Sequence, residues 1–320
     1  MKKILFITAT RIGDAVLAMG LLRHMVETYP EAKITVACGP LVEGFFTGVP
    51  NVEAIIVLKK EKRAGHWRKM WKQVVTTPWD MVVDLRNSAV SRLIFAKKKY
   101  IFGPHIDQQK HKVLQNADVM KLATPPHPRL WFTDDLRARA ASLVPAGTPV
   151  LGVGPAANWF AKTWPADRYI RLINILTAPG GILPGARVAI SAAPGEEAQA
   201  RPVLDSIPQE RRIDLIAKGT PDLAAACIER CDFFVGNDSG LTHSAAAAGV
   251  PTLGLFGPSW PHIYRPWGPC AGYVATPKNF AELIDYPGYD SKTAPCLMEG
   301  LSIDAVAAAA HDVFSRSKSE

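Results

Sequence analysis

Cysteine is scarce in this chain. The five residues, Cys38, Cys227, Cys231, Cys270 and Cys296, are scattered and odd in number, and no Cys-x-x-Cys pair occurs. Cys227 and Cys231 stand at helical spacing with no histidine ligand nearby. That pattern points away from a disulfide framework or a thiolate metal site, and the cysteines read as buried thiols in a reducing compartment. No apolar run has the length a bilayer span requires. The opening MKKILFITATRIGDAV has an apolar run only from Ile4 to Ile7, and Arg11 and Asp14 break the residues after it, which indicates a first β-strand rather than a secretory leader. A dinucleotide fingerprint needs Gly-x-Gly-x-x-Gly after that strand. Here Thr8-Ala-Thr-Arg-Ile-Gly-Asp14 holds one glycine. Walker A sequences, acidic DxD-type clusters, low-complexity segments and short-period repeats are likewise missing.

The residues that are present indicate an α/β protein of two domains. The 320 residues are 48% hydrophobic, enough for two cores. Short apolar runs at 4–9, 34–37, 52–58, 81–84 and 100–102 alternate with helical patterns at 15–29 and 40–47. A second series has runs at 150–154, 187–191, 213–216, 233–236 and 251–256. Helical patterns at 166–176, 195–205, 222–230 and 241–248 separate them. Such alternation predicts doubly wound parallel sheets, whose ligands gather at the carboxyl ends of the strands. The loop Val144-Pro-Ala-Gly-Thr-Pro149, after a helix over 134–143, marks the expected boundary, giving domains 1–145 and 146–300. A closing amphipathic helix over 302–314 and a frayed tail over 315–320 complete the segment 301–320.

The formal charge is +8, from 37 basic and 29 acidic residues, and it calls for an anionic partner. Nucleic acid, anionic lipid and phosphorylated substrates all qualify, although no nucleic-acid motif accompanies the charge. The basic stretch 59–72 includes Lys59, Lys60, Lys62, Arg63 and Arg68. As a helix it would set Trp67 and Trp71 one turn apart. It is either a solvated face anchored inward by its two tryptophans or a surface for a polyanionic acceptor or lipid headgroups. Lys97-Lys98-Lys99 and Lys110-His111-Lys112 fall in the same half.

Three sites could carry chemistry. Asp14 comes after Gly13 in the first turn of a predicted helix, where it either complements the helix dipole or serves as a general base. Gly152-Val-Gly-Pro-Ala-Ala-Asn-Trp-Phe-Ala-Lys162 is a glycine-bearing loop after a strand, ending in a lysine suited to a diphosphate. Residues 231–259, CDFFVGNDSGLTHSAAAAGVPTLGLFGPS, predict strand, polar turn, small-residue helix and strand. The turn at Asn237-Asp238-Ser239-Gly240 presents a helix N-terminus, which is either simply capped or an anion site.

In order along the chain, Arg11-x-Gly13-Asp14, Lys162-x-Trp164-Pro165, and Asp238-Ser-Gly-x-x-His243 continuing through Gly249 and Pro251 to Leu255-Phe-Gly-Pro258 resemble glycosyltransferase family 9. These are the heptosyltransferases of lipopolysaccharide core assembly. The resemblance implies a GT-B fold, two Rossmann-like domains facing across a cleft, and a metal-independent, inverting transfer with no cofactor beyond the donor. The donor would be ADP-L-glycero-β-D-manno-heptose and the acceptor a Kdo or heptose hydroxyl on the lipid A inner core. By position, Asp14 resembles the base, and Lys162 the residue holding the donor diphosphate. Glu196 resembles the acid on the nucleoside ribose, and Asp238 the group contacting sugar hydroxyls. Gly13 and the amides of Ser239, Gly240 and Leu241 fall on the donor side, with His243 fixing the turn. Arg11 and the basic stretch would meet the acceptor. Ala156-Ala157 stand where relatives often carry hydroxyl side chains, leaving Asn158 and backbone amides to compensate. The implied setting is cytoplasmic, peripheral to the inner membrane. The alternatives are a family member using another nucleotide sugar, a non-catalytic nucleotide-sugar-binding protein at that membrane, and a GT-B nucleotide-sugar epimerase.

Overall fold

The computed structural model describes residues 1–318, which form two compact units, Met1–Thr133 and a second beginning at Asp134. The first unit contains β1 (Lys3–Ile7), α1 (Ile12–Thr28), β2 (Lys33–Cys38), β3 (Val52–Val57) and α2 (Gly65–Val74). It continues with β4 (Trp79–Asp84), α3 (Ala89–Leu93), β5 (Ala96–Ile101) and α4 (Lys112–Val119). Its five strands are parallel in the order β3-β2-β1-β4-β5. Four of the five β1 residues are fully buried, as expected for a strand covered by helices on both faces. One side of the sheet packs Leu5, Ile7, Val82 and Trp79 against Met70 and Val74 of α2 and against Val90 and Ile94.

The second unit runs α5 (Asp134–Leu143), β6 (Val150–Gly154), α6 (Ala166–Thr177), β7 (Arg187–Ala192), α7 (Glu197–Asp205), β8 (Arg212–Ile216) and α8 (Pro221–Ile228). Then come β9 (Phe233–Asn237), α9 (Gly240–Ala247), β10 (Thr252–Phe256), α10 (Pro261–Tyr264), β11 (Ala271–Ala275), α11 (Phe280–Ile284) and α12 (Ile303–Ser317). The six strands are again parallel, ordered β11-β10-β9-β6-β7-β8. Val306, Ala310 and Val313 of α12 enter the core of this unit, so residues 303–317 belong to it.

Several expectations shift. Residues 144–149 do not divide the units. Helix α5 packs on α8, and Arg230 Nε donates to the Val144 carbonyl at 2.6 Å, which places that loop inside the second unit. The expected helix over 40–47 is a single 3-10 turn, Glu43–Phe46. Strand β5 begins at Ala96, four residues early, because the edge position accommodates exposed Lys97, Lys98 and Lys99. Left-handed backbone at Arg63 and Ala64 stops the basic stretch from being one helix, and α2 begins only at Gly65. Within α2, Met70 and Val74 are buried and Trp67 packs on the core, whereas Trp71 is exposed. Strand β11 and helices α4, α10 and α11 had no periodic signal long enough to predict them. The C-terminal helix extends to Ser317, past the expected onset of fraying, and residues 319–320 lie outside the described residues.

Candidate active site

In each sheet the strand order reverses once, between β1 and β4 and between β9 and β6. Chains leaving two such strands part to opposite sides and open a crevice at their carboxyl ends. In the first unit that edge carries the loop 8–11 running into α1, and the loop after Asp84. Asp84 is fully buried, and its own loop occupies its carboxylate. Oδ1 accepts from the Arg86 amide at 2.8 Å, and Oδ2 from the Ser88 amide at 2.8 Å and hydroxyl at 2.7 Å. Asp14, by contrast, is half-exposed in the first turn of α1, whose N-terminus has no side-chain cap.

Lys112, not singled out from the sequence for any role, faces Asp14 electrostatically. Burial lowers the pKa of Lys112 below that of an ordinary lysine, and the Asp14 charge partly offsets that shift. The Lys112 ammonium lies 4.9 Å from the centre of the Phe102 ring and donates to Gln115 Oε1 at 3.3 Å. Asn116 Nδ2 donates to the Leu17 carbonyl at 3.2 Å, tying α4 to α1 one turn beyond Asp14. Arg11, Lys59, Lys60, Lys62, Arg63 and Arg68 lie at or near the surface, and Lys59 and Lys60 leave β3 at the same edge of the sheet as Arg11 leaves β1. Gly13 lies in the first turn of α1.

The second unit assembles the other residues at its switch point. Lys162 Nζ donates to Asp238 Oδ2 at 2.6 Å, joining the loop after β6 to the turn after β9. The Asp238 side chain is 8% exposed and that of Lys162 is 23% exposed. His243, one turn into α9, is buried with Nε2 3.6 Å from Asp238 Oδ1. Burial alone would push the Asp238 carboxyl up. His243 and Lys162 outweigh it and bring the carboxyl down to about 2. Asp238 is therefore ionised at neutral pH.

The turn itself is held from below. Asn237 is fully buried, and its Oδ1 accepts from the Trp164 amide at 3.1 Å and the Tyr169 hydroxyl at 3.0 Å. Its carbonyl accepts from the Thr242 hydroxyl at 2.6 Å. Gly236 allows this closeness, since a Cβ there would meet Phe234 and the Thr242 hydroxyl at 2.9 Å and the Gly154 carbonyl at 3.1 Å. Ser239 occupies the N-cap position of α9, yet its hydroxyl caps nothing and is buried without a partner among the described residues. The amides of Gly240 and Leu241 lie in the first turn of that helix, which has no intrahelical acceptors for them.

Two donor-side expectations are modified. Ala156 and Ala157 are buried, and Gln199 clasps Ala157 on both sides. Its Oε1 accepts from the Ala157 amide at 3.0 Å, and its Nε2 donates to the Ala157 carbonyl at 3.2 Å. The same Oε1 accepts from the Thr163 hydroxyl at 2.9 Å. The Ala157 amide is thus already engaged and supplies no compensating donor, while Asn158 is exposed. Glu196, half-buried before α7, accepts from the Ala193 amide at 3.1 Å, and burial raises its carboxyl above the usual glutamate value. Gln199 gave no motif signal, because its partners Ala157 and Thr163 are 42 and 36 residues away in the sequence, and Asn237 was read only as part of the polar turn. Among the described residues, no group of three or more His, Cys, Asp and Glu side chains is arranged to hold an ion.

The two parallel α/β units are Rossmann-like and have the architecture of the GT-B fold. The sequence model of glycosyltransferase family 9 (heptosyltransferase) matches residues 93–283, and the chain belongs to that family. Lipooligosaccharide heptosyltransferase 2 of Haemophilus influenzae is 26% identical over 304 residues, covering 82% of this chain and 85% of the relative. The crystal structure of a family 9 glycosyl transferase from Veillonella parvula superposes with a TM-score of 0.80 at 19% identity, covering 98% and 97% of the two chains. The solved structure of Escherichia coli ADP-heptose lps heptosyltransferase II gives 0.73 at 21% identity, covering 99% and 100%.

Proposed function

We propose that this glycosyltransferase transfers a heptosyl group from ADP-heptose to a hydroxyl of the lipopolysaccharide inner core, with inversion at the anomeric carbon. The reading rests on one constellation above all, Lys162 paired with the buried, ionised Asp238 beside the uncapped N-terminus of α9. A cation and a set of backbone N–H groups at one place are what a departing diphosphate requires. The names of the relatives supply the sugar and the acceptor class.

In this mechanism Asp14 accepts the proton of the acceptor hydroxyl. The oxygen then forms its bond to the anomeric carbon as the bond from that carbon to the β-phosphate oxygen breaks. ADP leaves with the electron pair, its charge met by Lys162 and the amides of Ser239, Gly240 and Leu241. Asp238 and Glu196 hold hydroxyls of the donor sugar and ribose, and the surface basic residues of the first unit meet the anionic acceptor. No metal or other cofactor is needed, so activity survives EDTA. The enzyme works on the cytoplasmic face of the inner membrane as a peripheral protein. A second reading, transfer from another nucleotide sugar, draws on the absence of hydroxyl side chains at Ala156 and Ala157.

The test is transfer from ADP-heptose to a lipid A–Kdo acceptor. Asp14→Ala should lower kcat by at least about 100-fold, the usual contribution of a general base. Undiminished turnover would remove Asp14 from that role. Preference for a UDP- or GDP-sugar over the ADP-sugar would replace the donor, and tight ADP binding with no product from any donor would favour a non-catalytic protein.

A further inference from the structure

Three loops leave the carboxyl edge of the second sheet at its centre, after β6, β9 and β10, and the transfer mechanism uses only the first two. Strand β10 lies beside β9 with Leu255 opposite Asn237, and the Asp238 amide donates to the Leu255 carbonyl at 3.0 Å. The chain after β10, Gly257-Pro258-Ser259, therefore leaves the sheet next to the Asp238 turn. Ser259 is only 8% exposed, and its hydroxyl has no hydrogen-bond partner among the described residues. Buried hydroxyls are normally paired, because leaving one unpaired forfeits its hydration without return. The second orphan hydroxyl in this region, Ser239, belongs to the adjoining turn.

The loop is fixed in place. The Ser259 amide donates to the Gly257 carbonyl at 2.7 Å, and Met298 Sδ lies where a Cβ on Gly257 would meet it at 2.3 Å. The same segment of chain secures the Lys162 loop. The Leu297 amide donates to the Ala161 carbonyl at 3.0 Å, and Cys296 Sγ lies 3.2 Å from the Thr163 carbonyl. Because β9 lies between β10 and β6, these two tied loops flank the Asp238 turn on either side.

We infer that Ser259 is a donor-binding residue whose hydroxyl donates a hydrogen bond to the diphosphate, completing a cradle with Lys162 and the first-turn amides of α9. The inference rests on the reading of the donor as a nucleoside diphosphate sugar. Its chemical basis is that the loop carrying the orphan hydroxyl adjoins the turn whose α9 amides, with Lys162, are read as receiving the diphosphate, an anionic acceptor that can take the hydrogen bond Ser259 lacks.

Calorimetric titration of ADP and of inorganic pyrophosphate into the full-length protein tests this, comparing wild type with Ser259→Ala and Ser259→Thr. Ser259→Ala should weaken both ligands about tenfold, the scale of one hydrogen bond to a charged acceptor. Its Tm should match wild type, and Ser259→Thr, which keeps the hydroxyl, should restore binding. Equal affinities in wild type and Ser259→Ala overturn the inference alone, as does a loss that threonine does not restore. Failure of wild type to bind either ligand overturns the diphosphate-donor reading and this inference with it.

Discussion

Replacing Asp238 by asparagine removes one negative charge and almost nothing else, which makes the electrostatics of the turn measurable. The surroundings hold the Asp238 carboxyl at about 2, against an ordinary value of 3.8. Each unit of such a shift corresponds to about 1.4 kcal/mol between the two protonation states, so the site contributes on the order of 2 kcal/mol to stability at neutral pH. The sign is that of a carboxyl depressed on folding. The contribution is complete above the unfolded value and is lost as pH falls through the folded one. About half remains at pH 3, and essentially none well below pH 2. Asp238→Asn should therefore be about 2 kcal/mol less stable than wild type at pH 7, with the gap closing as the two proteins are acidified. Urea unfolding curves of both proteins between pH 7 and pH 3 measure it. Equal stability at pH 7, or a gap that stays constant to pH 3, would refute the claim that Lys162 and His243 together outweigh the cost of burying this carboxylate.

Other consequences are local. Gln199→Ala releases both polar groups of Ala157 and the Thr163 hydroxyl, and should cost about 1–3 kcal/mol through the groups left unpaired. Faster hydrogen exchange at the Ala157 amide would report it, and unchanged exchange would show that the clasp does not hold the loop. Burial pushes the Cys38 thiol up to about 12, with help from Glu43, and burial carries Cys227 up to about 11. Both should resist iodoacetamide at pH 8 in the native protein and react once it is unfolded. Half-exposed Cys270 and Cys296 depart from the expectation that every cysteine is buried, which limits the prediction to the buried thiols.

Much of the second sheet was legible because each of its other five strands is a short apolar run bounded by glycine, proline or a polar turn, and their alternation with helices dictates parallel pairing. Strand β11 escaped because Ala271–Ala275, at the sheet edge, is only partly buried and carries no distinctive apolar run. The lysines of β5 hid the start of that strand, expected only from residue 100, for the related reason that an edge needs no buried side chains. Asp14, Lys162 and Asp238 stood out as polar residues at strand ends. Lys112 and Gln199 did not, and Asn237 showed only as part of the turn, since the partners that give them their roles, Asp14, Ala157 and Trp164, are brought near only by the tertiary fold. Ser259 was visible in the Leu255-Phe-Gly-Pro258 neighbourhood, but an unpaired hydroxyl has no sequence signature.

The backing of the Lys162 loop has a temporal side. Leu301 supplies the carbonyl for Trp164 Nε1 at 2.9 Å, and Arg168 reaches the carbonyls of Glu299 and Leu301 at 2.6 and 2.7 Å, partners more than 130 residues downstream. Contacts so distant along the chain close late in folding. On a ribosome, β6, β9 and α9 emerge and can pair well before residues 296–301 exist. Lys162 would then wait on an unsupported loop until residues 296–301 are made. A nascent chain stalled before residue 296 should show a protease-sensitive 159–163 segment that becomes resistant only once residues 296–301 have emerged.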